Sequence, residues 1–351
     1  MAKKKILIRV DASSEIGYGH FIRMIALGQM FTDAGHVVHF ATKSKNDFIE
    51  RLLREDPFII HTLKDDNFWD YLEDLKELLA IAKIIKPQWI VLDGYKFPTD
   101  YEKLLKHSGY KVLRVNDFSI EHCAADVLLD QNFGAENINH SVEQYTKVMS
   151  GLEYLLIRRE FLKTPSKNEE FALSTDIHLL VCLGGSAVIS DNLIIKVIKG
   201  LSNINRNDWS AVVITGKFGD KSKGKFLELA STSNLSINII EQTTNMADEL
   251  SMANLAILSG GSVMWEAMYM KVPFLGISLT RVQEDYLKLL SRNELCDDLG
   301  WHEDLTPQKI SDKVLALAQD NARRERMIEL ADSKLNRKNH GIQLLRLMNN
   351  E

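Results

Sequence analysis

The first candidate for chemistry is a histidine that closes a turn-like segment near the start of the chain. The segment reads RVDASSEIGYGH over residues 9–20, and its last residue, His20, is the titratable group best placed to act near neutral pH. An imidazole after a strand can take a proton from water, and Asp11 or Ser13 is predicted to orient it. The segment therefore predicts His20 as a general base. The competing interpretation is a histidine that only caps a helix or fills the turn.

Two glycines before this histidine predict a close approach of the backbone to a ligand. Gly17 and Gly19 tolerate positive φ angles, and the amides at the start of the following helix can donate to an anion. The third glycine of a dinucleotide-binding fingerprint is replaced by Ile22. We therefore expect Gly17 and Gly19 to contact substrate, and we expect no nicotinamide, flavin or other cofactor.

A second candidate site is the segment LGGS at residues 183–186, which follows a predicted strand. A glycine pair followed by a hydroxyl can form a nest of backbone amides for an anion. Gly184, Gly185 and Ser186 are therefore predicted to bind the diphosphate of a nucleotide. The alternative is a tight strand-to-helix turn without a ligand.

A similar segment, SGGSVMWEA, occupies residues 259–267 directly after another apolar run. Gly260 and Gly261 predict a second turn, and Ser262 is expected to cap the next helix or to donate to a phosphate. Glu266 lies four residues later on the same helical face, where its carboxylate can accept both hydroxyls of a ribose. It can instead complement the helix dipole as a first-turn acid. Two such turns in one half of the chain strengthen the prediction of a nucleotide site.

The segment LDGY at residues 92–95 ends a third apolar run in the first half. Asp93 is predicted to orient the turn there. Tyr95 can offer its phenol to a sugar hydroxyl, although a partly buried core tyrosine is equally common at such places. Both residues are predicted to face the same ligand as His20.

The alternation of short and long apolar patterns predicts the scaffold for these residues. Short β-branched runs alternate with longer amphipathic stretches, which is typical of parallel sheets whose crossovers are helices. In such sheets, ligands bind beyond the carboxyl ends of the strands, where these motifs fall. The predicted strands cover residues 6–10, 37–41, 89–93, 111–115 and 127–130, then 177–183, 211–215, 237–240, 255–258 and 273–277.

The predicted fold class is α/β, with two Rossmann-like domains. A chain of 351 residues exceeds the usual size of one domain. The stretch 163–175 is polar, contains Pro165 and lacks apolar periodicity, so we place the boundary there. Residues 1–165 are expected to hold the sugar and the catalytic base, and residues 166–351 to hold the nucleotide.

Composition narrows the class of partner. The chain is 45% hydrophobic and 26% charged, and its net charge of −5 gives no electrostatic reason to expect a nucleic acid. The apolar run after the lysines at 3–5 is too short for a signal peptide or a membrane span, so a cytoplasmic protein is expected. Three widely spaced cysteines predict neither a disulfide framework nor a zinc site.

The motifs together resemble those of the PseG family. They occur in the family's order over about residues 1–285: RVDASSEIGYGHFIR (9–23), LDGY (92–95), GLEYLLIRREF (151–161), LGGS (183–186) and SGGSVMWEA (259–267). Members of this family hydrolyse UDP-2,4-diacetamido-2,4,6-trideoxy-β-L-altropyranose to UDP and the free sugar, on the way to pseudaminic acid. The spore-coat SpsG proteins belong to the same wider group.

This resemblance implies a glycosyltransferase-B arrangement with an interdomain cleft, similar to the peptidoglycan N-acetylglucosaminyl transferase. It implies a UDP-linked amino-deoxy sugar as substrate and no metal. His20 activates water for attack at the anomeric carbon, and Tyr95 lies beside it. In the C-terminal domain, Glu266 binds the UDP ribose, while Ser262 and the neighbouring glycines hold the diphosphate.

The sequence departs from the family pattern at three places. Val282-Gln283 stands where members have Asn-Gln, which leaves Gln283 as the expected substrate contact, and Gly94 and Ala187 replace other family residues. Two further functions therefore stay open. A glycosyltransferase to a hydroxyl acceptor uses the same base and nucleotide clamp, and a non-catalytic nucleotide-sugar-binding protein needs no asparagine.

Overall fold

The structure is a computed structural model that describes residues 3–12, 17–44, 47–64, 69–117, 121–164, 169–184, 189–335, 337 and 341–349. The chain divides into two compact units. Unit 1 contains the described residues of 1–13, 20–159 and 335–351, and unit 2 contains those of 14–19 and 160–334.

Unit 1 is built on a parallel sheet of seven strands in the order β3-β2-β1-β4-β5-β6-β7. Its strands are β1 (Lys5–Val10), β2 (Val37–Thr42), β3 (Ile59–Thr62), β4 (Trp89–Asp93), β5 (Lys111–Val115), β6 (Val127–Asp130) and β7 (Lys147–Ser150). Its helices are α1 (Gly19–Asp33), α2 (Asp47–Arg54), α3 (Tyr71–Ile85) and α4 (Thr99–His107), and α5 (Arg159–Lys163) follows at the division between the units.

Unit 2 is built on a parallel sheet of six strands in the order β10-β9-β8-β11-β12-β13. Its strands are β8 (His178–Cys182), β9 (Ser210–Ile214), β10 (Ser236–Ile240), β11 (Leu255–Ser259), β12 (Phe274–Ser278) and β13 (Asp297–Trp301). Its helices are α6 (Glu169–Ala172), α7 (Asp191–Ser202), α8 (Asp220–Ser231), α9 (Met246–Met252), α10 (Ser262–Tyr269), α11 (Arg281–Arg292), α12 (Pro307–Gln319) and α13 (Asn321–Lys334).

The last helix, α14 (Ile342–Asn349), belongs to unit 1, whereas the sequence pattern places it in the second domain. It buries Leu344 and Met348. The Met348 carbonyl accepts hydrogen bonds from Trp89 Nε1 and Lys4 Nζ, both at 3.0 Å. The predicted division at 165/166 therefore differs from the structure at the C-terminal end. The packing of α14, and not its position in the chain, decides which unit it belongs to.

Each sheet reverses its strand order at one point. The reversal lies between β1 and β4 in unit 1 and between β8 and β11 in unit 2. The crevice beyond the carboxyl ends of strands at such a point is where ligands bind in open α/β sheets. The predicted chemical motifs follow these four strands. Among the described residues, no helix is long and apolar enough to cross a membrane.

Three edge strands, β3, β7 and β13, are not predicted by the sequence pattern. The residues of β3 are mostly exposed, as are two of the four in β7, so neither strand has a continuous apolar run. The strand β13 contains two acids and a glycine. By contrast, β1 and β4 are buried along almost their whole length, and the pattern predicts both.

Candidate active site

The imidazole of His20 lies against a carboxylate from a neighbouring strand. His20 is the second residue of α1, and only 5% of it is exposed. Its Nδ1 lies 2.7 Å from Oδ1 of Asp93, the last residue of β4. These residues are 73 positions apart. They meet because β1 and β4 are parallel neighbours in which Val10 pairs with Asp93.

The charge of Asp93 fixes the tautomer of His20. Burial raises the pKa of Asp93, but the Arg23 guanidinium outweighs that effect and lowers this pKa from 3.8 to about 2. Arg23 donates from Nε to Oδ2 and from Nη2 to Oδ1, both at 2.6 Å. An ionised carboxylate only accepts hydrogen bonds, so its contact with Nδ1 requires the imidazole proton on that nitrogen. The other ring nitrogen, Nε2, then keeps its lone pair and can act as a base.

Arg23 Nη2 also lies 2.8 Å from His20 Nδ1. A guanidinium has no acceptor atom, so the N–H of the imidazole cannot donate a hydrogen bond to Arg23. We assign the hydrogen bond of Nδ1 to Asp93, because Arg23 has its own acceptors in the same carboxylate. The three side chains thus form a compact Arg–Asp–His group.

A second carboxylate extends this group toward the exposed side. Arg23 Nη1 lies 3.4 Å from Asp117 Oδ1, and Asn132 Nδ2 donates to the same oxygen at 3.1 Å. Tyr95 donates its hydroxyl to Asp117 Oδ2 at 2.7 Å. The rings of His20 and Tyr95 meet edge to face, with their centroids 4.7 Å apart. Burial raises the pKa of Asp117, and the Arg23 charge brings it below its usual value.

Asp11 does not orient His20, which corrects the prediction from the sequence. Its carboxylate accepts from Arg9 Nη1 and Nη2, both at 2.6 Å, from the Lys43 amide at 2.8 Å and from the Thr42 hydroxyl at 3.2 Å. Arg9 is fully buried and also pairs with Asp74. Asp11 therefore neutralises a buried cation, and Asp93 takes the role expected for it.

The remaining predicted residues of the first half have separate positions. Gly17 has a φ of +75°, in the left-handed region that favours glycine, and Gly19 is the first residue of α1. Ser13 lies outside the described residues. Tyr95 is 57% exposed and is not a core tyrosine. Contact of Gly17 and Gly19 with a substrate stays a prediction.

In unit 2, the two glycine turns meet at the carboxyl ends of β8 and β11. These strands pair in parallel, with Leu258 opposite Cys182. Gly184 has a φ of +87°. A Cβ atom added to Gly184 or to Gly261 meets the same atom, Ser259 Oγ, at 3.7 Å. The fold thus places the two turns side by side around one hydroxyl. Gly185 and Ser186 lie outside the described residues.

The helix after the second turn starts one residue earlier than predicted for a serine cap. The N-cap of α10 is Gly261, which has no side chain to cap the helix, and Ser262 is the first helical residue. The N-cap prediction for Ser262 is therefore wrong, while its role as a phosphate donor stays a prediction. Glu266 lies one turn later and is only 5% exposed. A carboxylate this buried requires hydrogen-bond or charge partners.

Gln283 has a structural role at the start of α11. The N-cap residue Thr280 accepts the Gln283 amide hydrogen, and Gln283 Oε1 accepts from the Leu279 amide at 3.0 Å. This is a reciprocal cap of the kind that satisfies free amides at a helix start. Gln283 also packs against Gly260, because a Cβ added there meets it at 3.0 Å. Its side-chain oxygen is therefore committed to the cap, although its amide nitrogen stays a candidate for substrate.

Sequence reasoning missed Arg23, Asp117 and Asn132. Arg23 lies three residues after His20 on the same face of α1, and both are buried. An arginine at this spacing from a candidate histidine is a recognisable signal. Asp117 and Asn132 follow β5 and β6, so they share the carboxyl edge with Asp93. That placement follows only once the strand order is known.

The chain has low sequence identity to known proteins, below 30% in the comparisons that follow. No family model matches the chain. It is 27% identical to the UDP-2,4-diacetamido-2,4,6-trideoxy-β-L-altropyranose hydrolase of Campylobacter jejuni, over 82% of this chain and 96% of that protein. It is 24% identical to the spore coat polysaccharide biosynthesis protein SpsG of Bacillus subtilis, over 84% of each. An uncharacterised protein of Methanocaldococcus jannaschii is 28% identical over 83% of this chain, which spans 60% of that protein.

Solved structures show the fold. The MurG structure of Acinetobacter baumannii superposes with a TM-score of 0.70 at 15% identity, over 99% of this chain and 100% of that one. The S. aureus MnaA–UDP structure gives a TM-score of 0.63 at 12% identity, over 99% and 95%. The predicted fold class is confirmed: the chain has two Rossmann-like α/β units of the glycosyltransferase-B class. In sequence it is similar to PseG and SpsG proteins.

Proposed function

We propose that the chain is a UDP-sugar hydrolase of nonulosonic, pseudaminic-type acid biosynthesis. It releases UDP and a free diacetamido-trideoxyhexose from a UDP-linked amino-deoxy sugar. The observation that carries the proposal is the contact of His20 with Asp93, which leaves Nε2 of the imidazole able to accept a proton. The sequence similarity to the C. jejuni hydrolase supports the choice of substrate.

The reaction follows from this contact. His20 Nε2 takes a proton from water as the water oxygen attacks the anomeric carbon. The bond between that carbon and the diphosphate oxygen breaks, and UDP leaves with the electron pair. Asp93 stabilises the imidazolium that forms, because the carboxylate keeps its negative charge throughout the physiological range. No step is assigned to a metal.

Unit 2 is proposed to hold UDP. Gly184, Gly260, Gly261 and Ser262, with Gly185 and Ser186, bind the diphosphate, and Glu266 accepts from the ribose hydroxyls. The adjacent glycine turns at the strand reversal of unit 2 support this assignment. So does the UDP held by the S. aureus MnaA protein, which has the same fold.

The test is release of UDP from UDP-linked diacetamido-trideoxyhexoses in the presence of a chelator. His20→Ala should lower the rate by roughly 10² to 10⁴, the usual contribution of a general base. The matched control is His107→Ala, which removes an exposed histidine at the end of α4 and should leave the rate unchanged. Wild-type rates from His20→Ala would contradict the mechanism.

A glycosyltransferase is the second candidate function. The fold neighbours include the MurG protein and other glycosyltransferases, and Val282 replaces the asparagine of the PseG pattern. UDP release that requires a hydroxyl acceptor, with none in water alone, would favour transfer over hydrolysis. Tight UDP binding without turnover on any UDP-sugar would instead indicate a non-catalytic binding protein.

A further inference from the structure

We propose that Asp117 is a positioning residue that sets the substrate specificity of this site. It holds Tyr95 so that the phenolic oxygen accepts a hydrogen bond from the sugar, and the site therefore takes a sugar that presents an N–H or O–H donor to that oxygen. The inference rests on the proposed function, because it assumes that Tyr95 faces the sugar of the substrate.

The direction of the hydrogen bond between the two side chains is fixed by their charges. Tyr95 lies with its hydroxyl oxygen 2.7 Å from Asp117 Oδ2. The Asp117 carboxylate is ionised at neutral pH, so it can only accept. Partial burial and the neighbouring Asp117 charge raise the pKa of Tyr95, which keeps its proton. The single phenolic hydrogen is thus committed to Asp117, and only acceptor lone pairs remain for a ligand.

Asp117 itself cannot turn away from Tyr95 without losing two other contacts. Its Oδ1 atom faces Arg23 Nη1 at 3.4 Å and accepts from Asn132 Nδ2 at 3.1 Å. Asn132 also donates to Asp130 at 2.9 Å, and that carboxylate is fully buried. The carboxylate of Asp117 is therefore held in place from the protein side, with Oδ2 left for the phenol.

The same arrangement places the acceptor oxygen next to the base. Arg23 binds both Asp93 and Asp117, so the group that orients His20 and the group that orients Tyr95 share one guanidinium. The edge-to-face contact keeps the two rings 4.7 Å apart. A substrate that places its anomeric carbon near His20 therefore has a substituent within reach of Tyr95.

The charge around the phenol also selects against an anionic group. Two carboxylates, Asp93 and Asp117, face one guanidinium, Arg23, which leaves a negative excess when His20 is neutral. The parts that solvent reaches are Tyr95, 57% exposed, and the Asp117 side chain, 26% exposed. Both are acceptors. A hydroxyl or an amide N–H is compatible with them, whereas a carboxylate or a phosphate at this position is repelled.

The experiment combines Tyr95→Phe and Asp117→Asn with a UDP-sugar that the wild type hydrolyses and with analogues that each lack one donor. For one analogue, kcat/KM of the wild type should fall about 2- to 12-fold, the net effect of one lost hydrogen bond at a partly exposed group. On the parent sugar, kcat/KM of Tyr95→Phe should fall by the same factor. On that analogue, kcat/KM of Tyr95→Phe should equal that of the wild type. Asp117→Asn should follow the same pattern, mainly in KM.

Two controls separate specificity from structure. Tyr145→Phe makes the same chemical change at a phenol that donates to the Ala124 carbonyl, and it should keep wild-type kinetics on every sugar. In Asp117→Asn the loss should be confined to sugars that carry the donor, because Arg23 and Asp93 still hold His20. An equal loss on all sugars in Tyr95→Phe, or a loss in Asp117→Asn that falls on kcat alone with KM unchanged, would overturn the proposal.

A binding measurement distinguishes this inference from the proposed function. If no UDP-sugar is turned over, the hydrolase proposal fails, and the same comparison is made by calorimetry with free sugars and their deoxy analogues on the full chain. The tyrosine-to-phenylalanine change should weaken binding of the parent sugar and leave that of the matching deoxy sugar unchanged. Equal affinities of wild type and Tyr95→Phe for every sugar, or no sugar binding at all, would overturn the inference.

Discussion

Replacement of Asp93 by asparagine tests how the structure activates its base. The change keeps the size of the side chain but removes the charge that faces both His20 and Arg23. Three contacts of 2.6 to 2.7 Å are affected. The carboxamide has one acceptor oxygen, and Arg23 is the stronger donor, so the oxygen turns to Arg23 and the NH₂ group turns to His20.

An NH₂ group that donates to Nδ1 forces the imidazole proton onto Nε2. His20 then has no lone pair on the nitrogen that takes the proton from water. We expect kcat to fall by roughly 10² to 10⁴, as for loss of a general base, although His20 itself is unchanged. KM should change little, because the affected groups act on the proton and do not bind the sugar.

The same substitution should lower stability by an amount that follows from the pKa. The pKa of Asp93 is about 2 in the folded chain, against 3.8 for a free side chain. At about 1.4 kcal/mol per pKa unit, the ionised form contributes about 2–3 kcal/mol at neutral pH. Because the folded pKa is the lower one, this contribution is complete above pH 3.8 and is lost as the pH falls toward 2. Arg23 then keeps only the longer ion pair with Asp117, at 3.4 Å, which raises the total loss to about 3–5 kcal/mol.

The assay is UDP release as a function of pH, together with urea unfolding at pH 7, on wild type, Asp93→Asn and Asp11→Asn. Asp11→Asn is the matched control, because it also neutralises a carboxylate paired with a buried arginine. Arg9 keeps Asp74 in that variant, so the loss of stability should be smaller and the pH profile of kcat unchanged. A kcat for Asp93→Asn within threefold of wild type would refute the assignment of the orienting carboxylate.

Two further outcomes test unit 2. Glu266→Gln should weaken binding of UDP by about 10-fold or more and binding of 2′-deoxy-UDP much less, measured by calorimetry, because a carboxylate that accepts from both ribose hydroxyls loses most when both are present. Equal losses on the two nucleotides would contradict the assignment of Glu266 to the ribose hydroxyls. Gly184→Ala should lower the free energy of unfolding by about 1–2 kcal/mol, since its φ is +87°. Gly224→Ala should not, because Gly224 is helical with open space around it, and its replacement should stabilise by up to about 1 kcal/mol.

The strands that the sequence predicts are those with a continuous apolar run, and most of them are buried. The strand β4 is buried at all five positions and is predicted at its observed bounds. An edge strand such as β3 has one face and one side in solvent, and the residues of Ile59–Thr62 are mostly exposed. Its backbone pairing with β2 gives no hydrophobic pattern in the chain. The sequence therefore predicts an edge strand where it keeps an apolar run, as β10 does, and misses one such as β3 that does not.

The end of the chain shows the same limit at the level of domains. A polar stretch near residue 165 indicates where unit 1 ends and unit 2 begins. It does not show that the last helix, α14, packs on unit 1 again. The return depends on Met348, whose carbonyl pairs with Trp89 and Lys4 of unit 1. These contacts span 259 and 344 positions, and no local pattern encodes them.

In the candidate site, residues in local motifs are predicted from the sequence, whereas partners that depend on strand order are not. His20 and Tyr95 are predicted because each stands in a local motif after an apolar run. The partner of His20 is predicted among its sequence neighbours, as Asp11 or Ser13, yet the structure supplies Asp93. Asp11 follows β1 and Asp93 ends β4, so both lie at the carboxyl ends of neighbouring buried strands. Each acid pairs with a buried arginine, but the two arginines lie in different places. Arg9 of β1 holds Asp11 away from His20, whereas Arg23 lies on the helix of His20 and holds Asp93 against the imidazole. An arginine two positions before a candidate acid, as Arg9 stands before Asp11, is therefore the signal in the sequence that argues against that acid as the partner of the base.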